Sequence, residues 1–103
     1  MIKVENMTSN RGNKIANQFI ITHLIETGYI REYFQSYKSM IAMRSYYPFD
    51  TDLNKNQVVF LDPDFWNYSR TTSKYLNQFL GLTSKEIKLL IDADAFEFRN
   101  LNS

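Results

Sequence analysis

Apolar residues alternate with polar ones, or run unbroken over up to four positions, before Asp62-Pro63, and recur at three- and four-residue spacing after it. A side chain repeats its direction every second residue in a strand and about every 3.6 residues in a helix, so the change of period divides the chain into a strand part and a helical part. Residues 17–25 (Asn-Gln-Phe-Ile-Ile-Thr-His-Leu-Ile) are rich in β-branched and aromatic side chains and end at Glu26-Thr27-Gly28, which predicts a strand and a hairpin turn. Residues 29–37 alternate, with Tyr29, Arg31, Tyr33, Gln35 and Tyr37 on one face and Ile30, Glu32, Phe34 and Ser36 on the other. Either face is apolar enough to meet the core, and a bulge would switch them. A third strand returns over residues 40–44 after a tight turn at Lys38-Ser39. Residues 46–56, with Pro48, Asp50, Asp52, Asn54 and Asn56, read as a loop. Residues 57–61 (Gln-Val-Val-Phe-Leu) read as a buried strand.

Asp62 before Pro63 suits a helix cap followed by the first helical position, so one turn is expected to carry Phe65 and Trp66, with Trp66 in the core. Tyr75 with Phe79 and Leu76 with Leu80 give residues 73–80 one apolar stripe, and leave Lys74, Asn77 and Gln78 for solvent; Gly81 stops that helix. Thr83-Ser84-Lys85-Glu86 is a capping box that opens a second helix carrying Ile87, Leu90 and Ile91, and residues 96–101 alternate as a closing strand. The fold class expected is therefore α+β: a small antiparallel or mixed β-sheet, two short C-terminal helices packed on one face, and a closing strand. Residues 1–16 are polar and turn-prone and read as a flexible leader, with one domain over residues 17–103.

A chain of 103 residues with 44% apolar side chains holds one modest core. The lack of cysteine excludes disulfides and thiolate zinc sites and fits a reducing compartment. No apolar run approaches the roughly 20 residues of a membrane span and none at the N-terminus suits a signal peptide, so a cytoplasmic protein without a membrane partner is expected. The net charge of +1 conceals segregation. Residues 8–47 carry Arg11, Lys14, Arg31, Lys38 and Arg44 against Glu26 and Glu32, and residues 65–91 carry Arg70, Lys74, Lys85 and Lys88 against Glu86. The acids gather instead at residues 50–64 and 92–97, which suits one basic and one acidic face.

The residues point away from catalysis. His23 is the single histidine and sits in an apolar strand with no evident orienting carboxylate. Asp50 with Asp52 and Asp62 with Asp64 lack the spacing of a calcium loop, and Gly12, Gly28 and Gly81 are too far apart to cradle a phosphate. No catalytic residue, metal or cofactor is assigned. Residues 66–81 instead combine the aromatic rings of Trp66, Tyr68 and Tyr75 with Arg70, Lys74 and many hydroxyls and amides. Two readings stand for this segment. In one, Ser69, Thr71 and Thr72 only cap a helix and the rings only pack; in the other, the segment is a ligand surface. The ligand reading assigns nucleic-acid or partner binding to Arg11, Lys14, Tyr37, Lys38, Tyr68, Arg70, Lys74 and Asn77, with cations on phosphates and Tyr37 or Tyr68 stacking on a base.

The blocks Asn17-Gln18-Phe19-Ile20-Ile21, Phe34-Gln35-Ser36-Tyr37-Lys38-Ser39-Met40-Ile41-Ala42, and Trp66-Asn67-Tyr68-Ser69-Arg70-Thr71-Thr72-Ser73-Lys74-Tyr75 with Phe79-Leu80-Gly81 resemble a group of small bacteriophage proteins of uncharacterised function. The likeness spans about residues 9–101, although the loop over residues 46–56 departs in length. It implies expression in the cytoplasm of an infected bacterium and an accessory, non-enzymatic role. The leading expectation is an antagonist of a bacterial defence system, of the anti-CRISPR kind, that engages a host defence protein or ribonucleoprotein; in a variant of it the basic segments also hold RNA or DNA in the complex. The alternatives are a stand-alone phage nucleic-acid-binding protein and a small structural or assembly protein. The sequence does not set the oligomeric state.

Overall fold

The computed structural model describes residues 1–26, 28–47 and 57–102, which form a six-stranded sheet with two helices on one face. The strands are β1 (Ile2–Thr8), β2 (Lys14–Glu26), β3 (Tyr29–Ser36), β4 (Ser39–Tyr46), β5 (Val58–Leu61) and β6 (Glu97–Phe98), and they lie in the sheet in chain order. Neighbours pair antiparallel except β5 with β6, which are parallel. The helices α1 (Arg70–Leu80) and α2 (Ser84–Asp92) fill the connection between those two. The expected α+β class is observed. The loop over residues 48–56 lies outside the described residues.

Residues 1–16, expected to be flexible, instead form β1, the turn after it and the start of β2. Ile2 to Asn6 pair with His23 to Phe19 of β2, and Met7 is 2% exposed within the same buried cluster as Phe34, Leu61, Leu76 and Ile87. The physical reason is that an edge strand needs few buried positions: one side chain enters the core while the backbone ladder holds the rest. Between the pairs Asn6–Phe19 and Thr8–Lys14, Met7 alone faces residues 15–18 of β2. Asn17 absorbs this bulge in the left-handed region at φ 63°. Two carbonyls of the bulge are satisfied, since the Asn6 amide donates to Ile15 O at 3.0 Å and the Tyr37 N–H donates to Asn17 O at 2.7 Å. Beyond the bulge the hairpin tip meets α1, where Gln78 Nε2 donates to Thr8 O at 2.8 Å.

The ambiguity of β3 is resolved in favour of Phe34 and Ser36. Phe34 pairs with Ala42, which pairs with Leu61, and all three are fully buried beneath the helices. The Phe34 ring stacks on Phe79 of α1 with centroids 5.8 Å apart. Burial of a side chain this size contributes roughly 1.5–3 kcal/mol. A register shift between Phe34 and Gln35 adds Ile41 to β4, so Ile41 and Ala42 are both buried. On the same face Arg44 Nε donates to Glu32 Oε1 at 2.9 Å, and the guanidinium carbon lies 4.8 Å from the Phe79 ring centre.

The helices start and stop where local chemistry directs. Ser69 Oγ accepts the Thr72 N–H at 3.1 Å, and Gly81, at φ 69°, donates to Asn77 O at 2.8 Å. Thr83 and Glu86 form the expected reciprocal box at 3.2 and 3.0 Å. The closing strand is shorter than expected, covering Glu97–Phe98 instead of residues 96–101. Phe96 turns into the core, and past Arg99, whose N–H donates to Leu61 O, the chain is held by the Asp62 side chain. Trp66, expected in the core, is only partly buried and packs its ring against Phe98 at 6.0 Å.

Candidate functional site

Because adjacent strands run antiparallel, the turn that follows β1 and the turn that follows β3 fall at the same end of the sheet. The first carries Arg11 and leads into Lys14; the second carries Tyr37 and Lys38. Ser36 Oγ lies 3.3 Å from Thr72 Oγ1, a buried contact that sets the second turn against the first turn of α1, beside Tyr68 and Arg70. The turn after β1 is set against the last turn of α1 by the Gln78–Thr8 hydrogen bond.

A pocket of about 280 Å³ opens where the hairpin tip crosses α1, lined by Ser9, Asn10, Arg11, Ile15, Lys74, Tyr75 and Gln78. It brings together two of the residues singled out from sequence, Arg11 and Lys74. Neither takes part in an ion pair among the described residues, and no carboxylate lines the pocket. Lys74 Nζ sits 5.3 Å from the centre of the Tyr75 ring, so the ammonium is held over an aromatic face at the pocket wall. The tip itself is braced: Ser9 N–H donates to Asn13 O at 2.8 Å, and Gly12, at φ 80°, donates to Ser9 O at 2.9 Å. Two cations, two hydroxyls and two amides around a small cavity offer donors to an anion such as a phosphate.

The other predicted residues do not line this pocket. Tyr37 is 54% exposed and Tyr68 49% exposed, the latter with its ring edge-on to Phe65 at 5.7 Å. Tyr37 adopts φ 56° and its carbonyl accepts from Gln35 Nε2 at 2.7 Å, which fixes the turn. Lys14, Lys38 and Arg70 are exposed at the same end of the sheet. Asn77 is placed differently. Its amide donates to Ser84 Oγ at 2.9 Å, joining the two helices, and it does not line the pocket. Thr72 is buried and belongs to the cap.

A second cavity of about 440 Å³ lies on the other flank of α1, lined by Trp66, Asn67, Ser73, Ser84, Lys88, Ile91 and Asp92. The carboxylate Asp62 is structural: Oδ1 accepts from the N–H groups of Asp64 and Phe65 at 2.9 and 3.2 Å. His23 lies on β2 between Ile2 and Arg31. Among the described residues no three potential ligands gather as a metal site, and no helix is long and apolar enough to cross a membrane.

The model of a family of unknown function, DUF8033, matches residues 2–95. The chain belongs to DUF8033. No curated protein and no solved structure matches this DUF8033 chain. The DUF8033 span takes in β1, the hairpin tip and both helices, so every residue lining the basic pocket lies inside it. Ser9, Asn10, Ile15 and Gln78 were not singled out in this DUF8033 chain from sequence. The signal was present only in part: Gln78 and Lys74 share one flank of the predicted helix, but nothing local places the hairpin tip against them.

Proposed function

We propose that this chain is a non-enzymatic binding protein whose Arg11–Lys74 pocket holds a phosphate of RNA or DNA, and that it uses this grip to antagonise a bacterial defence ribonucleoprotein. The observation that carries the reading is the pocket itself, with two cations free of ion pairs among the described residues and no lining carboxylate. Exposed Tyr37 and Tyr68, and Lys14, Lys38 and Arg70 at the same end of the sheet, offer a continuation along which a strand could track, with phosphates on cations and bases on rings. The resemblance to small bacteriophage proteins supports the cellular setting, the cytoplasm of an infected host.

The test has two arms. Fluorescence anisotropy with labelled single-stranded RNA and DNA should show binding that weakens steeply with salt and is lost in the Arg11→Glu, Lys74→Glu double variant with thermal unfolding unchanged. Affinity capture from host lysate, with and without nuclease, should recover a defence complex. Capture of nucleic acid without a host protein would favour a stand-alone nucleic-acid-binding protein, and no binding in either arm would reject the reading.

A further inference from the structure

The two edges of the sheet differ. β6 is two residues long, whereas β1 runs for seven residues and has no neighbour on its outer side among the described residues. An edge of that length with exposed apolar side chains is a template for another strand, and on β1 Ile2 is 64% and Val4 60% exposed. The hydrogen-bond pattern shows which groups are open. Met1 O accepts the Leu24 N–H at 3.1 Å, and Ile2 pairs with His23 in the same register. In an antiparallel ladder residues alternate between bonding inward and outward, so Met1, Lys3 and Glu5 bond to β2 while the N–H and C=O groups of Ile2, Val4 and Asn6 point outward.

We propose that β1 pairs antiparallel with β1 of a second copy of this chain, about a two-fold axis through Val4. This register sets Val4 opposite Val4 and Ile2 opposite Asn6, all with outward backbone groups, so the ladder closes without a slip. It also sets Lys3 of each copy opposite Glu5 of the other, in the positions where facing side chains come closest. Centring the axis on Lys3 or on Glu5 would instead oppose like charges. Within one copy Lys3 Nζ is 3.7 Å from Glu5 Oε2, with both side chains more than half exposed, so little is lost when they re-pair across the axis. The row Val4–Ile21–Tyr33–Met43–Phe60, on the face away from the helices, then continues across the axis into the second copy. The bulge at Met7 bends the strand and limits the shared ladder to Ile2 through Asn6.

Sedimentation equilibrium over a dilution series, with thermal unfolding measured in parallel, tests this. The wild type should form a dimer, and Lys3→Glu and Glu5→Lys should each self-associate at least about tenfold more weakly, because each opposes like charges twice. An equimolar mixture of the two variants should recover dimers, since both facing pairs then join a glutamate of one variant to a lysine of the other. A monomeric wild type, single variants that dimerise as well as wild type, or a mixture no better than its components would overturn the proposal.

Discussion

Asp62 Oδ2 and the Asn102 side-chain amide meet at 2.9 Å, and Asn102 in turn clamps the main chain of Met40 by accepting its N–H at 2.7 Å and donating to its carbonyl at 2.9 Å. The same carboxylate accepts the Leu101 N–H at 2.9 Å and caps the turn at Asp64 and Phe65. One buried acid thus ties the end of β5, the beginning of β4 and the residues after β6.

Burial alone would raise the Asp62 pKa, but hydrogen bonds from the Leu101 and Asp64 N–H groups, the Asn102 amide and the Phe65 N–H outweigh it and hold the carboxyl below its ordinary value of 3.8. Folding therefore favours the ionised form. The stabilisation is complete above the ordinary aspartate range and is lost as the pH falls through the depressed folded value. Asp62→Asn should lower stability at neutral pH by about 1–3 kcal/mol and flatten its dependence on acid. Urea unfolding of both proteins across an acid series checks this; parallel curves would show that another group governs the acid limb.

Met7→Ala should cost about 2–5 kcal/mol, because it empties a buried site in the main cluster. Chemical denaturation measures the loss, and binding should suffer only through unfolding. A cost near zero would return the first residues to the status of a free arm.

Gln18 is 1% exposed, and among the described residues neither Nε2 nor Oε1 has a hydrogen-bond partner. Its Cα partner Ser36 shares the helix-facing side of the sheet. A buried amide without partners costs more than an apolar group of the same shape, so Gln18→Met should raise stability by about 1 kcal/mol. A drop on denaturant titration would mean that the amide is satisfied and that its polarity is needed.

Neutralising Lys74 alone, as Lys74→Gln, should weaken single-strand binding and reduce the magnitude of its salt slope by roughly 0.7, the share of one phosphate contact. Asn77→Ala should act in the opposite way, loosening the contact between α1 and α2 at Ser84 while leaving affinity unchanged. Anisotropy over a salt series and thermal unfolding of the same samples separate the two effects.

What could be read from sequence was local. The strand that ends at Glu26, the stop at Gly81 and the box from Thr83 to Glu86 depend on neighbours a few residues away, and all are observed. β1 escaped because only Met7 of its seven residues is buried and the alternation Ile2-Lys3-Val4-Glu5 is short, ending at Asn6-Met7. The end of β6 escaped because Asp62, far away in the chain, takes hydrogen bonds that a strand would have used. Arg11 and Lys74 were legible as cations, but their meeting was not, since it depends on a bulge at Asn17 that no turn signal announces.

A sheet whose first four strands lie in chain order can assemble hairpin upon hairpin, each closing a short loop before the next begins. The parallel pairing of β5 with β6 has no such shortcut, because it must wait for both helices to form and dock. The clasp of Asn102 onto Met40 ties residues 62 apart in the chain, and so closes a far longer loop than any of the hairpin turns.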